Sequence, residues 1–372
     1  MRPSAVFLAS LVLCACGRYQ DFTLPQQPGG PDVAWRWEAR ADPVLTRGGA
    51  GDWDSSDVLN PSVIRQGEAY YNFYSGFDGQ TWHTGLAVSA DGITWRKEGK
   101  LLSPDPQTWE GGYWATNGSA LANANAILYY YQAGQPPRIG LARSTNGHQW
   151  ERHGPPVLPP GPRGAWDERG VGDPYVIRIG ARYYMFYLGQ DRARRQRLGV
   201  AQSDDGVTWY KLRRNPILEL GAYGAFDENG LGEPAVWASN GYYWMLYTGR
   251  DRSEARRLGM ARSRNGVDWE KLPEVFAGDR PWDSKVVCDP TVLIENGRVR
   301  VWFGGGDVAA PDHGIHGQIG LAEIRGQYTH SPISGGAQEI RGQYTHSPIS
   351  RVSPMIPKGR NVLRHGSEKI GD

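Results

Sequence analysis

Short runs of apolar and aromatic residues recur along the chain, and Gly, Asn and Asp separate them. This pattern suits short strands and tight turns better than long helices. The runs come in a fixed order, repeated five times. Each repeat opens on a segment in which a Trp or Phe is followed, seven or eight residues later, by an amide or a carboxylate: residues 52–64, 108–121, 165–177, 225–237 and 281–293. The anchors so defined are Asn60, Asn117, Asp173, Glu233 and Asp289, in steps of 56 to 60 residues. An aromatic strand follows each one (69–76, 127–134, 183–190, 242–250, 299–306), and then a third strand (84–89, 138–144, 197–203, 257–263, 318–324). In four repeats a Ser-x-Asp/Asn-Gly turn then leads to Trp95, Trp150, Trp209 or Trp269, which opens a fourth strand. Asp-Gly and Asn-Gly are strong hairpin signals.

Four short strands repeated at one period predict an all-β fold, a five-bladed β-propeller of four-stranded antiparallel blades. The fifth repeat has no fourth strand downstream. Residues 34–45 (AWRWEARADPVL) match residues 149–158 (QWERHGPPVL), and a Trp-Asp pair follows each segment. Residues 34–45 are therefore expected to complete blade five and close the ring, which removes an open sheet edge.

Composition changes this picture only at the ends. The chain has 372 residues with 41 Lys+Arg against 39 Asp+Glu, so its charge makes no case for nucleic acid. Arg2 and the apolar run Ala5–Leu13 predict an export signal, too short to span a bilayer as a helix. The run ends in Leu13-Cys14-Ala15-Cys16-Gly17, which looks like a bacterial lipobox. It implies a signal peptide over 1–16, lipidation at Cys16 and a protein anchored by lipid to the cell envelope; an ordinary cleaved signal is the alternative. Residues 17–33, rich in Pro, Gly and Gln, are expected to be a flexible tether. Cys288 is then the one cysteine of the mature domain, expected as a small buried residue rather than a nucleophile. The propeller is expected over 34–324. Residues 325–372 lie outside the repeat, carry EIRGQYTHSPIS in duplicate (323–334 and 339–350), and are expected to be irregular.

In a propeller the first strand of each blade lines the central channel, so the five anchors should meet at one mouth. Three carboxylates forced together repel, which raises at least one pKa and yields a proton donor near neutral pH. Glycoside hydrolysis requires such a raised acid with an ionised partner. The plainer reading is turn chemistry: Asn-Pro, Asp-Pro and Glu-Pro suit a strand start. That explains a recurring short polar residue better than it explains Glu233.

On the five-fold repeat, the Gly-Asp-Pro (172–174) and Gly-Glu-Pro (232–234) strand starts and the recurring Tyr-x-Gly and Gly-x-Ala-x-Ser-x-Asp/Asn-Gly-x-x-Trp text, the chain resembles the five-bladed propeller glycosidases. These are the arabinanase, xylosidase, invertase and levansucrase superfamily, with glycoside hydrolase families 43, 32, 117 and 130. The resemblance covers residues 34–324. For family 43, it implies that Glu233 is the acid and Asp173 the residue that tunes it, in an inverting displacement. Asn60 stands where the base Asp would be, and Asn takes no proton from water. The resemblance therefore needs Asp57 or Asp54, just upstream, as the base, or the chain is not a hydrolase of that type. Asn60, Asn117 and Asp289 are expected to bind sugar hydroxyls. His83 and His316, with His313, occupy loops where relatives hold a channel histidine, sometimes beside a cation. No cofactor is expected, and a structural cation in the channel is the one ion implied. Trp114, Tyr113 and Trp237 offer stacking faces, although packing between blades explains aromatics equally. Gln190-Asp191-Arg192 and Arg250-Asp251-Arg252 read as salt-bridged hairpins, or as clamps for an anionic sugar. The partner expected is an oligo- or polysaccharide, bound by a monomer. A non-catalytic glycan-binding lipoprotein and a structural propeller remain as rivals.

Overall fold

The computed structural model describes residues 18–123, 125–295 and 297–328. Every regular element among them is a β-strand. Two strands precede the first repeat, β1 (Tyr19–Gln20) and β2 (Val33–Ala39). Each repeat then forms an antiparallel unit. The first holds β3 (Asp57–Gln66), β4 (Ala69–Phe77), β5 (Trp82–Ser89) and β6 (Arg96–Leu102), and the second β7 (Ala115–Ala122), β8 (Ile127–Ala133), β9 (Arg138–Ser144) and β10 (Glu151–Arg152). The third holds β11 (Gly170–Ile179), β12 (Arg182–Gln190), β13 (Gln196–Ser203) and β14 (Tyr210–Leu212), and the fourth β15 (Gly230–Ser239), β16 (Tyr242–Arg250), β17 (Arg256–Ser263) and β18 (Glu270–Phe276). The fifth holds β19 (Val286–Glu295), β20 (Arg298–Gly306) and β21 (Gln318–Tyr328), with β2 as its outer strand, paired in register from Val33↔Tyr328 to Ala39↔Ala322. One parallel pair, Arg256↔Val286, joins the fourth and fifth units into a single eight-stranded sheet.

The strand predicted over 34–45 is shorter than expected. It spans Val33–Ala39, after which the chain leaves the ladder and returns to β21 through the N–H groups of Arg40, Val44 and Leu45, which donate to Leu321 and Ile319. β21 also continues to Tyr328, past the predicted boundary at 324. The expected tether is corrected too. β1 pairs in parallel with β14, Leu24 is 1% exposed, and the Pro25 carbonyl accepts from the Tyr243 hydroxyl. The apolar residues Phe22 and Leu24, spaced among polar ones, drive this docking. Cys16, the export signal and most of the duplicated segment lie outside the described residues.

The core lies between sheets, not within one. Phe186 and Val200 pack with Val236 and Met245 across the third and fourth units, and Tyr70 and Tyr74 pack with Trp302 and Leu321 across the first and fifth. The Trp/Phe-acid pairs that open each repeat pin the outer strands. Asp54, Glu110, Asp167, Asp227 and Asp283 are all at most 2% exposed. Four of them accept from a Tyr hydroxyl of the second strand (Tyr74, Tyr131, Tyr187, Tyr247) and from Lys97, Arg152, Lys211 or Lys271 further along. Phe303 takes the Tyr position in the fifth unit, and Asp283 pairs with Arg280. The Trp53 ring fills the space above Gly76 and Gly85, where a Cβ would overlap it; this close approach accounts for the recurring glycines.

Candidate active site at the ring of anchors

All five anchors sit at equivalent bulges in the first strands, where the ladder skips two residues. Each anchor is left-handed: Asn60 φ 48°, Asn117 49°, Asp173 46°, Glu233 44°, Asp289 53°. Asn and Asp tolerate this region, whereas for Glu it is uncommon. The turn-chemistry reading thus holds for the backbone of the ring, and Glu233 departs from it. Together with Pro61, Gly118, Pro174, Pro234 and Pro290, the anchors line one cavity of about 30 Å³. That is room for a water-sized group. A ligand would meet these residues from the rim of the cavity.

The side chains of the ring are not equivalent. Asp173 Oδ1 accepts from Asn117 Nδ2 at 3.0 Å, and the nearby Glu233 N–H also favours its charged form. Asp289 Oδ2 accepts the Asn60 N–H at 3.2 Å and the Cys288 thiol at 3.1 Å. Glu233 Oε2 is buried and has no partner among the described residues. Burial, and then the charge of Glu233, push the Asp173 carboxyl well above its ordinary range. The same two causes push Asp289 up to about 7. Between them, Asp173 and Asp289 therefore retain a proton near neutrality.

Sequence reasoning missed Arg256 at the start of β17. Burial opposes its charge, but nearby Cys288, Glu233 and Asp289 outweigh that and hold the guanidinium protonated. Arg256 also donates to the Ala310 and Pro311 carbonyls and so ties down the 307–317 segment. Its signal was there, a cation on the third strand of the Glu233 repeat, but nothing local marked it out from its neighbours.

Several expected site residues lie elsewhere. Asp57 is fully buried, and its oxygens accept the Gly314 and Gly317 N–H groups at 2.6 and 2.7 Å. It fastens the 307–317 segment and does not line the cavity. Asp54 is held by Tyr74 and Lys97. Neither is placed to activate water, because each carboxylate is consumed by fixed donors. Trp237 is 1% exposed and packs edge-on against Trp35, so it offers no stacking face. Trp114 is half-buried beside Tyr113 and donates to the Gly134 carbonyl. His83 is buried between Ser103 and Asp78, and burial lowers its pKa, followed by Lys100. His316 pairs with Asp307 and His313 lies against the Phe77 ring. None of these lines the cavity of the anchors. The two Arg-Asp hairpins are salt-bridged: Asp191 to Arg195 and Arg197, Arg192 to Glu168, Arg250 to Glu254, Asp251 to Arg257 and Arg252 to Glu228. Among the described residues no group of three or more His, Cys, Asp or Glu is arranged to hold a metal ion. A larger groove of about 440 Å³ between the third and fourth units is lined by Asp268 and Glu270, but these are paired with Arg214 and Arg262.

An all-β chain of four-stranded antiparallel sheets with acids gathered at its inner strands has the fold of the propeller-like glycosidases. Residues 124–223 match the glycoside hydrolase family 130 model, described as beta-1,4-mannooligosaccharide phosphorylase. The chain is 26% identical over 232 residues to an uncharacterized protein of Mycobacterium tuberculosis, covering 57% of this chain and 75% of that one. It is 29% identical over 125 residues to the 1,2-beta-oligomannan phosphorylase of Thermoanaerobacter sp. (strain X514), covering 31% of this chain and 41% of that one. Among solved structures it resembles one described under the family 130 mannoside phosphorylases and hydrolases that target beta-1,2 mannosidic linkages in Candida mannan (TM-score 0.59, 17% identity, 82% of this chain and 96% of that one). It also resembles the family 117 glycoside hydrolase Zg3597 of Zobellia galactanivorans (TM-score 0.56, 16% identity, 79% and 90%). The structural likenesses are of fold.

Proposed function

We propose that the protein is a glycoside-processing enzyme of the family 130 type. It acts on mannose-containing oligosaccharides at the mouth of a closed five-bladed propeller, with β2 closing the ring. The observation that carries this reading is Glu233 Oε2, buried, unpartnered and flanked by two acids of raised pKa. In this scheme a carboxyl of the ring protonates the leaving glycosidic oxygen through Glu233, and Asp173 positions it. Water would need a base opposite, and Asn60, Asp57 and Asp54 supply none. A nucleophile that carries its own charge needs no base. Inorganic phosphate therefore fits better than water: its oxygen bonds to the anomeric carbon with inversion, the glycosidic C–O bond breaks, and a sugar 1-phosphate results. Export and lipid anchoring at Cys16 would place this monomer in the cell envelope, facing a glycan outside the cytoplasm.

Incubation with β-mannooligosaccharides, with and without phosphate, tests this reading. The expected product is a sugar 1-phosphate that forms only when phosphate is present. Free reducing sugar without phosphate would make the protein a hydrolase. Calorimetric binding without cleavage under either condition favours the second reading, a non-catalytic glycan-binding lipoprotein, which Asn60 and the narrowness of the cavity support.

A further inference from the structure

Each anchor's N–H points to the preceding repeat, and its acceptor follows one rule. Fifteen residues after the five anchors, on the second strands, stand Ser75, Gln132, Leu188, Thr248 and Gly304. Where that residue has a side-chain oxygen, it caps the next anchor. Ser75 accepts the Asn117 N–H at 3.1 Å, Gln132 the Asp173 N–H at 3.2 Å, and Thr248 the Asp289 N–H at 3.2 Å. Leu188 and Gly304 have none, and there the preceding anchor stands in: Asp289 accepts the Asn60 N–H at 3.2 Å, and Asp173 is the carboxylate whose charged form the nearby Glu233 N–H favours. Four of the five anchor N–H groups are capped in this way, and the fifth, that of Glu233, has the Asp173 carboxylate beside it. An anchor carboxylate is tied down when its own second strand offers no acceptor, and left free when it does. A buried N–H without a partner is costly, which is why the nearest oxygen is drawn in.

We propose that Thr248 is a positioning residue: by capping the Asp289 N–H it leaves the Glu233 carboxylate free to meet a ligand. Its effect on turnover rests on the function proposed above, but its effect on Glu233 does not. Thr248→Val keeps the branched shape and removes the hydroxyl acceptor. The Glu233 carboxylate then swings to the Asp289 N–H, as Asp173 and Asp289 do in their own units. Leu188→Gln is the converse. It supplies an acceptor for the Glu233 N–H and releases Asp173. The native precedent is Gln132, whose side chain lies against Gly172 just as the introduced amide would lie against Gly232.

The experiment is carbon-13 NMR of the carboxyl groups in the whole protein without ligand. In Thr248→Val the Glu233 carboxyl resonance shifts and the Asp289 amide keeps a hydrogen-bonded shift; Thr248→Ser restores the parent Glu233 signal. In Leu188→Gln, Asp173 loses a donor that favours its charged form, so it titrates at higher pH than in the parent. A folded Thr248→Val with the parent Glu233 resonance overturns the proposal. If that variant does not fold, an unmoved Asp173 titration in Leu188→Gln overturns it instead. On a cleaved substrate, Thr248→Val lowers kcat at least ~10-fold with KM unchanged, and Thr248→Ser recovers it. Movement of the resonances in a protein that cleaves no glycan keeps the positioning role and removes the enzymatic reading.

Discussion

The side-chain amide of Asn117 donates to Oδ1 of Asp173 at 3.0 Å across the boundary between the second and third units. The nearby Glu233 N–H further favours the charged form of Asp173, while Oε2 of Glu233 is buried with no partner among the described residues.

Glu233→Gln should cut turnover about 10²–10⁴-fold, the range for loss of a proton-transferring group. It should not lower the thermal midpoint, because it removes a charge that two buried acids resist. Asp289 should then titrate below its parent value of about 7. Thermal melts, product assays and carboxyl NMR check the three parts. Parent-rate cleavage by the variant would end the assignment.

Stability should fall as pH rises. Asp173 and Asp289 have folded pKa values above the ordinary 3.8, so between that value and the folded value the native state binds more protons than the unfolded chain. A raised acid therefore costs nothing below pH 3.8 and destabilises progressively up to about pH 7 for Asp289. Denaturation midpoints measured from about pH 4 to 8 should show this slope, and Asp289→Asn should flatten it.

Asp57→Ala should destabilise by about 2–4 kcal/mol, since it strands two buried N–H groups that a carboxylate satisfied. It should also speed hydrogen exchange in 307–317. The shape of any pH–rate profile should be unchanged. Loss of only the acidic limb, with the segment still ordered, would restore Asp57 as a base.

Lys211→Met should cost about 3–5 kcal/mol by leaving Asp167 charged and fully buried. Adding Asp167→Asn should recover most of that loss. Urea denaturation of the single and double variants measures the coupling; simple additivity would show that the pair is not a clamp.

Much of the fold was legible in the sequence because its signals are local. The Asp-Gly and Asn-Gly turns, the aromatic second strands and the glycines beneath Trp53 report on residues next to one another or one hairpin apart, and the spacing repeats. Residues 18–32 misled, because Pro, Gly and Gln mark a free linker unless a surface waits for Phe22 and Leu24. Trp237 misled because an aromatic near a pocket and an aromatic between sheets look alike in sequence.

The sequence by itself determined the repeat, the five anchors and the concentration of acid among them. Only the tertiary structure decided which acid is free. The donors that claim Asp57 are more than 250 residues away, and the bond from Asn60 to Asp289 spans 229. A carboxylate's availability depends on which N–H groups reach it in space, and those partners come from neighbouring repeats rather than neighbouring residues.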